Sequence, residues 1–344
     1  MRNLHKFYYK DYFSLEVVSI NNVNRHIDYE LLLDDTKKKQ LESEIKQLKE
    51  QEKNLHGYQK EKLKNEISEL NAQLSVNVDV LKVRNKVLTG YGFVKRDQQG
   101  NPTRELLDNA YITNEFSADD DNNHFPLEIQ YPGLVTGIGI DHEAKIEGEF
   151  KLGVHFDWTF GMPIVYGSSV KGVLRSWFME IYLHGDGNYF EKCGKIDAGD
   201  LMMEIFEGVY ERDIEAEKKK YINNWEEKVL IPENRIYKNH KSIYQRDIFF
   251  DAVIKQADKK GRILCSDSIT PHGDNPLKNP TPLTFLKIAP GCTLDFRFKL
   301  QDSDFGEGKI FTASQKKSLF EEILKTVGIG AKTNVGYGQL KSEE

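Results

Sequence analysis

The most regular pattern of polar and apolar residues begins near residue 144, where the two kinds alternate. One parity is apolar: Ile146, Phe150, Leu152, Val154, Phe156 and Trp158. A period of two predicts a long strand with one buried face. A helical repeat follows Gly167-Ser168-Ser169 at Val170, Val173, Leu174, Trp177, Phe178 and Ile181. Because serine is a good N-cap, this pattern predicts a helix that begins near Ser169.

Strand patterns return in the last hundred residues, at 248–254, 262–269, 283–288 and 293–300. A helix with the apolar face Leu319, Phe320, Ile323, Leu324 and Val327 follows, and Gly328 is placed to end it. A short strand over 335–340 completes the series. Without insertions, the order of elements is that of a ferredoxin-like (RRM-like) βαββαβ core, so the predicted fold class is α+β.

Two further segments are predicted to be helical additions to this core. Leucine and isoleucine recur at heptad-like spacing over residues 36–75, on both sides of Gly57, which predicts an antiparallel coiled-coil hairpin. The hairpin is either a solvated insertion or an arm that docks a neighbouring subunit. Residues 184–247 are predicted to form a mostly helical, polar insertion. The chain is therefore divided into an N-terminal elaboration, 1–130, and a core, 131–344.

Composition predicts a soluble cytoplasmic protein. Of the 344 residues, 39% are hydrophobic and 30% charged, and no apolar run is long enough to span a membrane. The N-terminus does not resemble a signal peptide. Cys193, Cys265 and Cys292 are too widely spaced for a disulfide framework or a zinc site. No motif predicts a metal or a cofactor.

The net charge of −6 argues mildly against a free-standing nucleic-acid binder. Acidic residues are nevertheless unevenly distributed. None occurs between Trp158 and Met179, and none between Lys325 and Lys341. Basic patches can therefore persist on an acidic chain.

The first acid-free segment contains a candidate phosphate site. A helix N-terminus offers backbone N–H groups and a positive dipole end, and the hydroxyls of Ser168 and Ser169 could donate to phosphate oxygens. Lys171 and Arg175 are four residues apart and share a helix face opposite the apolar stripe. A capped surface helix with two solvated cations is an equally good interpretation.

The second acid-free segment, Gly328–Gly338, is rich in glycine. Four glycines, including Gly330, accompany Lys332, Thr333 and Asn334, which suits a loop that lies against phosphates, and Tyr337 could stack on a base. The substring Gly-Ala-Lys-Thr is not a P-loop, because alanine precedes the lysine and the segment follows a helix instead of opening one. The alternative is a plain glycine-rich turn.

Two other segments contain residues suited to acid–base or metal chemistry. Gly133–Ile140 precedes Asp141 and His142, and Phe-Phe-Asp-Ala around Asp251 precedes Asp267-Ser-Ile-Thr-Pro-His272. Their spacing matches no helix-borne metal motif. The preferred interpretation is that these aspartates and histidines satisfy backbone groups in turns at strand ends.

Together, the four segments resemble the RAMP superfamily. Gly167–Arg175 is similar to its lysine-containing helix-start motif, and Gly328–Gly338 to its C-terminal glycine-rich loop. The Asp251 and His272 segments look most like the sixth Cmr subunit of CRISPR type III-B effectors. The resemblance covers roughly residues 130–340. Tyr166 stands where a proline is expected before the Gly-Ser-Ser turn.

The resemblance implies a non-catalytic scaffold that packs beside similar subunits along a guide RNA, toward its 3′ end, in a complex that also holds target RNA. It implies these RNA contacts: Ser168, Ser169, Lys171, Arg175, Gly330, Lys332, Thr333 and Asn334. Such contacts hold phosphates without reading sequence. His272 is a further candidate RNA-binding residue.

Two alternatives stay open at this point. A related RAMP endoribonuclease would need an acid–base pair beside the glycine-rich loop, with His142, His155 and His272 as candidates. A protein–protein adaptor would instead use the 36–75 hairpin.

Overall fold

The computed structural model describes residues 3–12, 18–20, 23–25, 35–90, 93–106, 123–137, 149–151, 153–210, 239–270 and 282–343. It contains helices and short strands, often several of one kind in succession. The helices are α1 (Leu4–Lys6), α2 (Asp35–Glu52), α3 (Tyr58–Leu88), α4 (Gly167–His184), α5 (Tyr189–Lys192), α6 (Ala198–Met202) and α7 (Ala313–Val327). Single π-helical turns extend α1 (Phe7–Asp11) and α6 (Met203–Glu207), and 3₁₀ turns lie at Ile243–Gln245 and Thr333–Val335.

The strands pair antiparallel. In chain order they are β1 (Val18–Ile20), β2 (Val23–Arg25), β3 (Val94–Arg96), β4 (Pro102–Leu106), β5 (His124–Ile129), β6 (His155–Phe156), β7 (Pro163–Val165), β8 (Val209–Tyr210), β9 (Asn239–His240), β10 (Ile248–Phe249), β11 (Ala252–Gln256), β12 (Leu264–Ile269), β13 (Leu283–Ile288), β14 (Thr293–Lys299), β15 (Ser303–Asp304), β16 (Ile310–Phe311) and β17 (Leu340–Ser342). The mixture of helices with antiparallel strands confirms the predicted α+β class.

The chain forms two compact units that interleave in sequence. The first comprises Met1–Arg104, Gly137–Pro163 and Lys260–Ile288, and the second comprises Glu105–Thr136, Ile164–Lys259 and Ala289–Glu344. The division proposed from the sequence, 1–130 and 131–344, does not coincide with these units and stays a prediction.

The second unit is organised around four antiparallel strands in the order β17-β5-β14-β11. The strand β14 lies where the sequence predicts it, and its apolar residues (Leu294, Phe296, Phe298) and its polar residues Asp295 and Arg297 are all buried, so both faces are covered. The register pairs β14 with β5 from Thr293↔Glu128 to Arg297↔His124. Along the chain, these strands and the two long helices run β5, α4, β11, β14, α7, β17.

Aromatic rings fill the core of this unit. Phe178 of α4, Phe298 of β14 and Phe320 of α7 are buried, and Phe206 and Phe249 have ring centroids within 6.2 Å of one or more of them. Aromatic pairs at such distances stabilise a core beyond their buried area. One ion pair is also enclosed: Lys316 Nζ lies 2.6 Å from Asp247 Oδ2, and burial lowers the pKa of Lys316.

The first strand predicted for the core is wrong. Of residues 144–158, the structure describes 149–151 and 153–158, and it places only His155–Phe156 in a strand, with Lys151 in a single bridge to Phe285. Trp158, expected on the buried face, is 77% exposed. Its ring instead packs on His5, with centroids 4.6 Å apart. The first strand of the β17-β5-β14-β11 sheet is β5, which lies before this segment.

The boundaries of other helices and strands also differ from the predicted ones. The predicted strand 248–254 is interrupted at Phe250 and Asp251, and the final strand is β17, beginning at Leu340 instead of Val335. α4 begins at Gly167, and Trp177, expected in its apolar stripe, is 45% exposed. The helix after β14 ends at Gly328 as predicted.

The segment predicted as a polar insertion, 184–247, is apolar where it begins. Leu201, Ile205 and Phe206 are buried, and α6 contacts α4. Since apolar burial drives folding, these residues belong to the core of the second unit instead of projecting from it. Residues 211–238 lie outside the described residues.

Two contacting helices, α2 and α3, occupy the region of the predicted hairpin in the first unit. Ile45 and Ile67 are buried, and Gly57, with φ 63°, precedes α3. α3 continues to Leu88, beyond the predicted end at residue 75. The basic residues of 82–86 therefore lie on a helix, and Arg84 is buried, donating to the Tyr12 carbonyl. A coiled-coil geometry stays a prediction.

In the described part of the chain, no helix has the length and apolarity needed to cross a membrane.

Candidate functional site

The glycine-rich loop, Gly328–Gly338, is bonded along its length to the segment 130–136, which we call the Pro132 turn. Ala331 N donates to the Val135 carbonyl at 2.7 Å, and Gly338 N to the Gly133 carbonyl at 2.8 Å. Ile329 N closes the loop on the Gly338 carbonyl at 2.9 Å. The loop is therefore held by its own backbone before any ligand binds.

The glycines of this loop allow the backbone of the two segments to approach closely. A Cβ at Gly330 would lie 2.4 Å from the Val135 carbonyl oxygen, and one at Gly338 would lie 1.8 Å from that of Ile329. Both residues also have positive φ, 94° and 74°. Only glycine fits such positions without displacement of the neighbouring backbone. The two interpretations of this segment, a plain glycine-rich turn and a loop that faces phosphates, are thus compatible. The glycines determine the backbone of the loop, and other residues occupy its exposed side.

The outer side of the loop carries Lys332, which is exposed and has φ 62°. It precedes the 3₁₀ turn Thr333–Val335, in which Asn334 is also exposed. Within the described residues, Lys332 has no ion-pair partner. Its neighbours in the acid-free segment do: Lys325 pairs with Glu321 at 3.1 Å and Lys341 with Glu128 at 3.5 Å. Lys332 is therefore the cation of this segment that is available to an anion.

Tyr337 does not lie where its predicted role requires. Its side chain is 7% exposed. A ring that stacks on a base must present one face to solvent before binding. The prediction that Tyr337 stacks on RNA is therefore in conflict with the structure, and Tyr337 is a packing residue of the loop.

The start of α4, the other predicted phosphate site, already holds a carboxylate. The N-cap is Tyr166, which makes no side-chain capping bond, and Gly167 N donates to Asp251 Oδ1 at 2.7 Å. A carboxylate at a helix N-terminus is stabilised by the same dipole that would attract phosphate. Ser168 and Ser169 are exposed beside it, so their hydroxyls would meet a phosphate against the charge of Asp251.

The two basic residues of α4 differ in their surroundings. Arg175 Nη1 lies 2.9 Å from Glu207 Oε1, an acid that is 32 positions away in sequence and that folding brings next to it. Lys171 is half-buried, with Nζ 6.0 Å from the centroid of the Phe249 ring. The segment around Lys171 and Arg175 contains no acidic residue, but folding brings the acidic residue Glu207 next to it.

The structure places the two predicted phosphate sites at opposite ends of one sheet. At one end, Ile129 N donates to the Cys292 carbonyl, beside the Pro132 turn. At the other end, Phe250 N donates to the Arg297 carbonyl, beside Asp251 and the start of α4. Cys292 and Arg297 are five positions apart in extended chain, which is about 17 Å at about 3.3 Å per residue. One phosphate cannot bridge the two sites.

The residues considered for catalysis are occupied or lie outside the described residues. Asp251 caps α4, and Asp267 is ion-paired with Lys287. His155 is half-buried in β6, where burial lowers its pKa. His142 and His272 lie outside the described residues. In the part that is described, no group of three or more His, Cys, Asp or Glu could hold a metal ion.

Sequence reasoning missed Tyr131, which is 85% exposed in the Pro132 turn. The signal was present: an aromatic residue directly before Pro132-Gly133 lies in a turn, and turns face solvent. It was missed because the strand was sought after residue 144 instead of at β5.

The chain is similar to a known sequence family and to several solved structures. The sequence model of the RAMP superfamily matches residues 80–341. No curated protein matches the chain. Among solved structures, the chain is similar to a subunit of a type III-B Cmr-beta complex bound to cognate target RNA, with 20% identity, 64% of this chain and 58% of that chain covered, and a TM-score of 0.37. It thus spans little more than half the length of that subunit.

A second similar structure is Cmr6 from Pyrococcus furiosus, with 19% identity, 64% of this chain and 97% of that one covered, and a TM-score of 0.29. A third is a subunit of the Csm–crRNA–target RNA complex of a type III-A system, with 17% identity, 44% and 40% covered, and a TM-score of 0.22. These likenesses are distant, and the family match, which extends over most of the sequence, is the finding that classifies the protein. The chain belongs to the RAMP superfamily.

Proposed function

We propose that this chain is a non-catalytic, RNA-binding scaffold subunit of a type III-B CRISPR effector complex. In this proposal it grips the phosphate backbone of a guide RNA toward the 3′ end, packs against neighbouring RAMP subunits and assembles with target RNA. Family membership and the similarity to subunits of RNA-bound complexes support the class of assembly. The remaining steps rest on the chain's own residues.

The observation that carries the proposal is the exposure of Lys332 on a preformed loop. A phosphate contact requires a cation that is not already neutralised and backbone that does not have to be reordered. Lys332 meets the first condition among the described residues, and the hydrogen bonds from Ala331 and Gly338 to the Pro132 turn meet the second. Contacts of this kind bind RNA of any sequence, as a guide binder must.

The strand order supports a ferredoxin-like core. Numbered along the chain, β5, β11, β14 and β17 are strands one to four, and they lie side by side in the order 4-1-3-2. With α4 after the first strand and α7 after the third, this order supports the split βαββαβ arrangement. A long addition separates β5 from α4, so the core departs from the minimal plan at that connection.

The assignment as a scaffold instead of a nuclease is supported by how the candidate acids are used. Asp251 accepts a backbone N–H, and Asp267 neutralises Lys287. A general acid or base needs a free proton-accepting or donating position beside its substrate. The rival function, cleavage of guide precursors, has His142, His155 and His272 as its candidate residues. The same experiment tests it through cleavage of the RNA and through His272→Ala.

The proposed RNA contact is tested by a salt titration of labelled, unstructured guide-like RNA with the full chain, alone and with neighbouring subunits. Lys332→Glu should weaken binding and lower the slope of log K against log salt by about 1, because one phosphate contact is lost. Lys171→Glu is measured separately and together with it. Lys192→Glu, an exposed lysine on α5, changes the net charge equally and serves as the matched control.

The outcome expected is intact RNA on a denaturing gel, with Lys332→Glu weaker than Lys192→Glu at every salt concentration. Equal affinities for these two variants, with normal circular dichroism, would overturn the proposed site. RNA that is shortened by the wild type and left intact by His272→Ala would instead establish a nuclease.

A further inference from the structure

The Pro132 turn presents an aromatic ring beside the proposed phosphate-gripping loop. Tyr131 is 85% exposed, although tyrosine usually buries most of its ring. It occupies a central position of a turn closed by Gly133 N donating to the Gln130 carbonyl at 2.9 Å. We infer that Tyr131 is the base-stacking platform of this surface and that it stacks on an unpaired base of the RNA held by Lys332.

Hydrogen bonds fix the turn on both sides of Tyr131, to Gln339 and the start of β17 on one side and to the glycine-rich loop on the other. Before it, Gln130 N donates to the Gln339 carbonyl at 2.9 Å, and Gln130 Nε2 to the Leu340 carbonyl at 3.3 Å. After it, the Gly133 carbonyl accepts from Gly338 N. The ring therefore projects from backbone that is already ordered, which lowers the entropy lost when it stacks on a ligand.

The turn that carries the ring packs against the loop that carries the cation. Pro132 Cδ lies 3.6 Å from the position that a Cβ on Gly336 would take, so the Pro132 turn packs against the 3₁₀ turn that follows Lys332. Val335, in the same 3₁₀ turn, is also exposed. Tyr131, Lys332 and Asn334 are all exposed, so two bonded loops offer an aromatic ring, a positive charge and an amide to solvent.

This combination fits single-stranded RNA better than a protein partner. A cation takes the phosphate, and a ring takes the base of the same or a neighbouring nucleotide. Stacking on an aromatic ring tolerates every base, which matches a backbone grip that reads no sequence. Tyr131 also supplies the role that the buried Tyr337 cannot fill. The inference rests on the proposed function and adds a base contact to its phosphate contact.

The test compares Tyr131→Ala and Tyr131→Phe in the full chain, with a fluorescein-labelled oligouridine as the probe. Tyr131→Ala should weaken binding by roughly tenfold, within the range for loss of one stacked base, and Tyr131→Phe should bind like the wild type. Tyr244→Ala is the matched control, because Tyr244 is 80% exposed in the same unit. The salt slope of Tyr131→Ala should equal that of the wild type, because no phosphate contact is lost.

A second probe isolates the base. On an abasic oligonucleotide of the same length, the wild type and Tyr131→Ala should bind equally. A Tyr131→Ala variant that binds oligouridine as the wild type does, while Lys332→Glu is weakened, would overturn the stacking inference and leave the phosphate grip intact. That result would indicate that the Tyr131 ring contacts a protein partner instead of RNA. The reverse result, a defect in Tyr131→Ala alone, would keep the stacking platform and remove Lys332 from the proposed function.

Discussion

Whether a basic side chain can hold a phosphate depends on what already neutralises it. Arg175 and Lys332 both lie in acid-free stretches of sequence, yet Arg175 is paired with Glu207 and Lys332 has no such partner in the described part of the chain. The distance in sequence to the nearest acidic residue does not predict whether a basic residue is paired, because the pairing acid can come from another element of the fold. The surface charge of a folded chain is therefore a property of its contacts, and Lys332 is the position where sequence and contacts agree.

His155 gives a prediction on pH at this scale. Burial lowers its folded-state pKa below the ordinary value of 6.5. As the pH falls below 6.5, His155 is protonated in the unfolded chain before it is protonated in the folded chain. The free energy of unfolding that this residue contributes above pH 6.5 is therefore lost as the pH falls through the folded-state pKa. His155→Gln removes this dependence. We expect urea unfolding midpoints of the wild type to fall more steeply than those of His155→Gln between about pH 7 and pH 5.

Parallel pH profiles of the two proteins would show that His155 titrates alike in the folded and unfolded states. The other histidines are common to both chains, so their contribution cancels in the comparison.

Helices and strands were predictable where one pattern of burial extended over a whole element. The apolar face of α7 was predicted correctly because this helix lies with one face in the core of the second unit. The alternation in β14 predicted the strand, although Thr293, Asp295 and Arg297 are buried as well, so both faces of β14 are covered. The alternation over 144–158 was misleading. Phe156 is buried there, but Trp158 packs on His5 from the first helix, a partner that no local pattern contains.

The same limit applies to the candidate site. The glycine-rich loop was recognised from its composition, and its glycines are required by backbone approaches that composition can suggest. The cap that Asp251 places on α4, the burial of Tyr337 and the exposure of Tyr131 depend on tertiary contacts, and the sequence alone supplies none of them.

The start of α7 carries the prediction at the scale of elements. Thr312 and Gln315 form a capping box: Gln315 N donates to Thr312 Oγ1 at 3.2 Å, and Thr312 N to Gln315 Oε1 at 2.8 Å. Thr312→Ala leaves an N–H group of the first turn without its acceptor, so it should cost about 1 kcal/mol of stability. The measurement is the urea midpoint at constant m-value.

Thr326→Ala is the control for this cap. Its hydroxyl donates to the Glu322 carbonyl inside the same helix, at 2.8 Å, and alanine has the higher helix propensity there. We expect little loss of stability, so equal midpoints for the two variants would mean that the capping box does not stabilise α7.

At the scale of the whole molecule, the proposed RNA surface and the two helices of the predicted hairpin belong to different units. The residues of the proposed RNA surface, Tyr131, Lys332 and Asn334, belong to the second unit, whereas α2 and α3 belong to the first. α3 is itself divided. Towards its C-terminus, Val80, Leu81, Arg84 and Leu88 are buried, and Tyr12 Oη bonds Asn85 at 2.5 Å. Towards its N-terminus, Ile67 is the residue with comparable burial among those whose side chains the structure describes.

This division predicts that the outer parts of α2 and α3 can be removed without loss of RNA binding. The two helices contact each other and are joined by residues 53–57, a connection short enough to make them antiparallel neighbours. Residues 38 and 73 then lie at similar heights, about 21 Å from the connection at about 1.5 Å per residue. Since packed helices are about 10 Å apart, a short glycine–serine linker can replace residues 39–72.

The shortened chain should keep the wild-type affinity and salt slope for oligouridine, because Lys332 and Tyr131 are unchanged. It should also unfold at a similar urea concentration, because the buried contacts around Arg84 and Tyr12 remain. Association with neighbouring subunits, measured by co-purification, is the readout that separates the two interpretations of the hairpin. Retained association would identify it as a solvated insertion, and lost association with intact RNA binding would identify it as the arm that docks a partner.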